Sequence, residues 1–278
     1  MKILFRKTPI FLLLFIVLST TTFAQQKIKG SKIVVTENRD LSDFNAIEIG
    51  GKLHVILSQS GRQSVTVEAD DNIQSAVVTK VMDSVLVIHL SKKVIRKKAL
   101  NVYIAVDEYL QKITTKGKAK VTSSGTFNFD IFTIDAEGDS KITIDIHSEK
   151  FTLNNNESAN VDLNLTVENA DINANKSGKS KINVSTQTIE VLTLGSSSTE
   201  LSGICNDIFV TSEGKSNVKA SKLEANDALV NASDASDVYL NVKNEVTISA
   251  INSSEIYIYN VPKITIDKFE DKAILRKK

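Results

Sequence analysis

Ile134-Asp-Ala-Glu-Gly-Asp-Ser-Lys-Ile-Thr-Ile-Asp-Ile146 decides how this chain folds. An aliphatic residue leads into a polar turn, a small residue follows, and then apolar and polar residues alternate. The pattern recurs eight times between about residues 113 and 260, closing on Val121, Ile142, Val161, Ile182, Leu201, Val218, Val238 and Ile256. These closing positions follow one another at intervals of nearly constant length, the shortest from Leu201 to Val218 and the longest from Val121 to Ile142 and from Val161 to Ile182. Two positions before each closing aliphatic sits a small residue: Ala119, Ser140, Ala159, Ser180, Thr199, Ser216, Ser236 and Ser254. Eight positions before lie Ile113, Ile134, Leu153, Val210, Val230 and Ile248, with Ala174 and Thr193 as exceptions. A period of this length belongs to a solenoid, whose rungs bury their apolar faces only by stacking.

The physical reading follows from strand dimensions. At about 3.3 Å per residue a rung of roughly 17–21 residues holds three short strands and their corners, and rungs stack about 4.8 Å apart. Aligned aliphatics form inward columns, each side chain contributing about 1.5–3 kcal/mol when fully buried. The small residues fit beside a tight corner, where stacked serines can hydrogen-bond along the column. Lys118, Lys120, Asp139, Lys141, Lys179, Lys181, Glu200 and Asp237 alternate with them and face water. These outward positions change sign from rung to rung, so the period encodes the scaffold. A one-directional repeat predicts an all-β, right-handed parallel β-helix rather than an antiparallel barrel.

Helical periodicity is nearly absent outside the first residues, whereas period-two alternation is general, as in Val65-Thr-Val67, Val85-Leu-Val-Ile-His-Leu90 and Ile256-Tyr-Ile-Tyr259. Turns are rich in Asn, Asp, Ser and Gly, which tolerate left-handed backbone. Residues 40–265 are therefore read as one β-helix domain, with regular rungs at 107–262. The less regular stretch 40–106 is either the first coils or a cap over the open end. Residues 25–39 are expected to be a leader of the mature chain and 266–278 a C-terminal tail.

Residues 1–24 read as a signal peptide: Lys2, Arg6 and Lys7 precede the apolar run Ile10–Leu18, and Thr22-Phe-Ala24 supplies small residues for cleavage. Nine apolar residues fall short of the roughly 20 that span a bilayer. The chain is expected to be exported to the periplasm, outer-membrane surface or extracellular space, with no transmembrane segment once processed. Removing three cations leaves 31 Lys+Arg against 33 Asp+Glu, a net charge of about −2. That balance excludes nucleic acid as a partner, since phosphate binding needs concentrated basic charge. One basic run exists, Lys92, Lys93, Arg96, Lys97 and Lys98. It reads either as a strand edge protected by lysines or as a contact for acidic lipopolysaccharide or membrane headgroups. Cys205 is the only cysteine, so no internal disulfide forms.

A search for chemistry yields no catalytic or metal-binding assignment and no cofactor. His54, His89 and His147 each lie in an alternating strand without zinc-ligand spacing. There is no Gly-x-Ser-x-Gly elbow, and Cys205 within Leu201-Ser-Gly-Ile-Cys-Asn206 reads as a packed small residue. Asp135, Asp139 and Asp145, with Glu157 or Asp162 from a neighbouring rung, are the carboxylates a polysaccharide hydrolase or lyase would use. The acidic turns Asp70-Asp71-Asn72 and Asp234–Asp237 do not match a calcium loop.

The run Asp43-Phe-Asn-Ala-Ile-Glu-Ile49 resembles the opening of the head GIN adhesin family, DUF2807, typical of Bacteroidetes. Gly51–Gln59, Val65–Ile73, Val85–Ile88, and the turns Glu137-Gly-Asp-Ser140 and Ser177-Gly-Lys-Ser180 are similar to it as well. The resemblance spans about residues 40 to 265 and implies a secreted or cell-surface β-helix. The expected function is an exported, non-enzymatic surface-binding scaffold or adhesin. Its partners would be envelope or host glycans, or another envelope protein. The alternatives are a carbohydrate-active enzyme on the same scaffold and a structural envelope protein without a ligand. Function is sought where the repeat breaks: the irregular opening of the domain, the basic run, and Tyr239, Tyr257 and Tyr259 near the end.

Overall fold

A computed structural model describes residues 26–278; the signal peptide expected at 1–24 lies outside them. Seven long strands carry the regular part: Lys120–Ala136, Lys141–Asn155, Asn160–Ala174, Lys179–Thr193, Ser198–Ser212, Asn217–Ala232 and Asp237–Ala250. Each pairs in parallel with the next. The chain is an all-β solenoid, and side chains that bond across successive rungs, such as Asn164 to Asp145 and Asn173 to Asn154, are 19 residues apart. Instead of three short strands, each rung is one long ladder with a step. At that step two successive residues, such as Glu149 and Lys150, face solvent, and the polar turn closes the rung.

The register differs from the sequence alignment at two rungs. Val161 lies opposite Ser180, which lies opposite Thr199 and then Val218, so the step is the same at each rung. Ile182 and Leu201 instead continue the column of Leu163. The column at Leu153 runs through Ile172 and Val191 to Val210, and the exceptions Ala174 and Thr193 belong elsewhere. The physical reason is parity. Side chains alternate with period two, so sliding a rung by two residues keeps every apolar residue inside and leaves the pattern equally satisfied. Ser180 and Thr199 are thus buried among aliphatics, and Ser180 Oγ accepts a hydrogen bond from Asn155 Nδ2 at 2.9 Å.

The polar turn has its own column. One residue per turn takes a left-handed conformation: Gly117, Gly138, Glu157, Lys176, Gly195, Gly214, Asp234, Asn252 and Asp271. Its carbonyl accepts from the turn above, as in Asp139 N–H to Gly117 O at 2.7 Å and Ser158 N–H to Gly138 O at 3.0 Å. The corner serines bond chiefly to carbonyls: Ser216 Oγ donates to Glu213 O at 2.8 Å and Ser236 Oγ to Ser212 O at 2.9 Å. Where the corner residue is a serine, as at Ser197 and Ser216, it cross-links the turn to its own rung and the one below.

At the N-terminal end, Ala46–Gly50 and His54–Gln59 form a rung flanked on both sides. Lys112–Lys116 and the long strand from Lys120 continue the stack on one side. Val85–Leu90 and Leu100–Val106 add a rung on the other. Over this end Ser64–Asp70, Val34–Arg39 and Val77–Met82 pair antiparallel, so the stretch 40–106 contributes both coils and a cover. Residues 25–39, read as a leader, contain the strands Lys27–Lys29 and Val34–Arg39. The boundary at 265 falls inside a strand. Lys263–Phe269 and Ile274–Lys277 pair in parallel with the preceding rung, so the expected tail forms a further rung. Among the described residues, no helix is long and apolar enough to cross a membrane.

Candidate functional site

The step between the two halves of each rung builds a groove. Asn128, His147, Thr166, Ser185, Ile204 and Glu224 are successive register partners along it. Five steps of about 4.8 Å make this line about 24 Å long. One section, of about 450 Å³, is lined by His147, Thr166, Ser185, Gln187, Asn206 and Asn226 among others. A second, of about 490 Å³, shares His147, Ser148 and Glu168 with it and extends to Tyr109, Asp130 and Glu149. The shared residues join the two into one furrow.

The first section is rich in amides and hydroxyls, several locked to one another across rungs, whereas the second carries four carboxylates, Glu108, Asp130, Glu149 and Glu168. Asn206 Nδ2 donates to Gln187 Oε1, and Asn226 Nδ2 donates to Asn206 Oδ1 at 3.0 Å. Beside the furrow a smaller depression holds Asp145, Asn164 and Asn183, where Asn164 Nδ2 donates to Asp145 Oδ1 at 2.6 Å. Hence these outward columns do not simply change sign; several keep an uncharged polar character over successive rungs. Ser148 Oγ is buried in the furrow wall without a hydrogen-bond partner among the described residues. Tyr109, 69% exposed, stands at one end, and the Lys243–Glu224 ion pair (2.5 Å) closes the other. Cys205 lines the furrow too, but burial, with the Asp207 charge adding to it, pushes its thiol up to about 12, so it stays protonated.

Most residues singled out in sequence stand apart from the furrow. Asp135 binds Lys112 and accepts from Asn154 Nδ2 at 2.8 Å on another face. Asp139 sits on a polar turn, 3.5 Å from Lys118. Glu157 is the left-handed turn residue, paired with Lys176 at 3.4 Å. Asp162 is exposed between Thr143 and Lys181. The three aspartates therefore do not converge as a catalytic pair requires. Four carboxylates do gather in the second section of the furrow, Glu108, Asp130, Glu149 and Glu168, and the last three follow one another at the rung spacing. That spacing was their only signal. Among the described residues, no group of three His, Cys, Asp or Glu is placed to hold a metal ion.

The histidines separate as well. His147 lies in the furrow and His89 is exposed on the terminal rung. His54 is half-buried, with Nδ1 3.3 Å from Asn101 Oδ1 and Nε2 3.2 Å from Thr122 Oγ1. Burial first, and then the Lys120 charge, hold its pKa below the ordinary 6.5. The unfolded chain therefore takes up the proton more readily. The contribution of neutral His54 to stability is fully present above 6.5, begins to fall as pH drops through that value, and is lost once pH passes the lowered folded value. Urea midpoints measured between about pH 7.5 and 5 are expected to fall, and His54→Gln to flatten that slope; an unchanged slope would contradict the assignment.

Tyr239 and Tyr257 occupy successive rungs with rings 4.4 Å apart, and Lys278 Nζ lies 5.0 Å from the Tyr257 ring. The Tyr257 hydroxyl donates to Glu255, which, with burial adding to it, pushes the phenol up to about 12. Asp70 is buried and accepts from the backbone N–H groups of Lys32, Lys98 and Ala99 at 2.9–3.0 Å. Burial disfavours its charge, but those donors outweigh burial and lower its pKa. Gly30 leaves room for it, since a Cβ there would lie 2.0 Å from Asp70 Oδ2.

These features define a β-solenoid with a long polar furrow along one corner. The family described as "Putative auto-transporter adhesin, head GIN domain" (DUF2807) matches residues 43–183 and 153–262, and the chain belongs to it. Solved structures share the fold. A Parabacteroides distasonis protein described as a putative adhesin is 18% identical with a TM-score of 0.64, covering 90% of this chain and 100% of its own. A Parabacteroides merdae putative adhesin is 15% identical with a TM-score of 0.62 over 91% and 99%. A Parabacteroides distasonis protein described as a putative lipid binding protein is 18% identical, TM-score 0.61, over 91% and 100%. No curated protein matches the chain.

Proposed function

We propose that this chain is an exported envelope scaffold that binds an extended glycan along the furrow without cleaving it. The observation that carries the reading is the furrow itself, about 24 Å long and lined by amides and hydroxyls in one section and by carboxylates in the other. A polymer with repeated hydroxyls meets polar donors and acceptors on most of the rungs it crosses. An unpartnered buried Ser148 hydroxyl and the exposed ring of Tyr109 add a polar anchor and an apolar platform. Membership of an adhesin family supports the same reading. So does the signal peptide read in the sequence, which points to the periplasm, the outer-membrane surface or the cell exterior. The ligand belongs to the envelope, a host surface or the matrix.

The test is a glycan array probed with the purified exported protein, followed by titration of the best ligand. Tyr109→Ala combined with His147→Ala is expected to weaken binding at least about tenfold, a loss of about 1.4 kcal/mol. Silence across the array would favour a structural role without a ligand. Shortening of a polysaccharide that stops in Glu149→Gln or Glu168→Gln would instead establish an enzyme.

A further inference from the structure

We propose that the two-stranded ribbon formed by Lys27–Lys29 and Lys93–Arg96 is a docking surface for an anionic lipid surface. The strands pair in parallel, with Lys27 opposite Lys93 and Lys29 opposite Arg96. Neighbouring strands lie about 4.8 Å apart, so like charges stand side by side, an arrangement that destabilises a sheet. Flanking Lys92, Lys97 and Lys98 add to it. Among the described residues, none of these cations has an ion-pair partner, whereas lysines along the rungs, such as Lys112, Lys150 and Lys243, bind acids across them. Asp70, whose carboxylate reaches the end of the ribbon, is buried and occupied by backbone donors. The next acid, Asp71, accepts from the Ser31 hydroxyl. The chain thus carries the cost of an unneutralised basic ribbon.

Apolar residues choose between lipid and a soluble polyanion. Ile95, in the ribbon, is 57% exposed, and Ile33, just beyond it, 62%. Val94, on the opposite face, packs against the core and fixes the ribbon to the solenoid. Exposed isoleucines among lysines match an interfacial surface that places charge at headgroups and apolar side chains beneath them; an acidic polysaccharide needs no isoleucine. Place agrees with chemistry. The ribbon joins Val85–Leu90 to Leu100–Val106 in the rung at the N-terminal end, and it opens just past Ala24, the expected cleavage point. Those two strands pair with Ala46–Gly50 and His54–Gln59, which a polar turn joins, so the ribbon lies on the turn corner. Docking there leaves the furrow on the step corner open. The inference is independent of what the furrow binds.

The experiment is flotation of the purified exported protein with vesicles of phosphatidylcholine alone or with a third phosphatidylglycerol, at low and high salt. Binding is expected only to the anionic vesicles and to weaken with salt. The variant Lys27→Gln/Lys29→Gln/Lys93→Gln/Arg96→Gln is expected to lose about fivefold per charge, several hundredfold together. Neutralising the exposed rung lysines Lys179, Lys181, Lys215 and Lys219 should leave binding unchanged. The chain has no tryptophan, so Ile95→Trp gives a single probe whose emission shifts to the blue on anionic vesicles, whether or not the fourfold variant folds. Equal binding to neutral vesicles, an unshifted probe, or capture of a soluble acidic polysaccharide without vesicle binding would overturn the proposal.

Discussion

Phe151→Ala is expected to lower the stability of the solenoid by about 3–5 kcal/mol, read as the shift of the urea midpoint followed by circular dichroism. Phe151 is fully buried, between Phe132 on one rung and Ala170 on the next. Phe132 in turn stacks with Phe129 at 4.3 Å between centroids, and Phe129 with Phe127 at 5.7 Å. Truncation opens a cavity that its neighbours cannot close, because backbone ladders above and below hold the rung spacing. The effect would be local first, since each rung contacts chiefly its neighbours. Hydrogen exchange should accelerate around residues 130–172 before it does near the ends. A loss below about 1 kcal/mol, far under the usual cost of such a truncation, would show that the column does not pack as described.

Gly203→Ala is expected to destabilise by about 2–5 kcal/mol, from backbone strain together with overpacking. Gly203 has φ +110°, and a Cβ there would lie 2.1 Å from the Val184 carbonyl oxygen of the rung below. It follows an irregularity in the ladder between Glu200 and Ser202, where the next rung takes up an extra residue. Either the carbonyl gives up its place in the ladder or the left-handed geometry is lost. Gly61→Ala is the control, because a Cβ at Gly61 meets nothing within 4 Å; it should change the midpoint little. Equal midpoints for the two variants would contradict this account of Gly203.

Much of the architecture was legible in the chain because the repeat is written in the residues that build it. Ile142-Thr-Ile144-Asp-Ile146 states which side chains go inside, and Glu137-Gly-Asp-Ser140 states where the chain turns. The register was not legible between Val161 and Val218. Ser180 and Thr199 occupy aliphatic places there, and Gly178 and Ser197 hold the corner, so a two-residue slip looked just as good. That slip hid the site. Thr166 faces Ser185, and Asn226 bonds to Asn206, only in the constant register that the ladders adopt. The basic run was visible, but its partner strand at Lys27–Lys29 comes from a segment read as a leader. Only pairing with a strand so distant in sequence adds Lys27 and Lys29 to it. Tyr109 lay between two strands of ordinary pattern, and nothing local marked it as exposed.

The register can be tested by cross-linking in a Cys205→Ala background. Thr166 and Ser185 are paired across neighbouring rungs, and strands about 4.8 Å apart place such pairs within the span a disulfide bridges. Thr166→Cys/Ser185→Cys is therefore expected to oxidise readily to an intramolecular disulfide without loss of the β-sheet spectrum. Thr166→Cys/Gln187→Cys, the pairing that the slipped register would create, is expected to remain reduced. A disulfide in the second pair and none in the first would contradict the register of the ladders, and with it the furrow that they assemble.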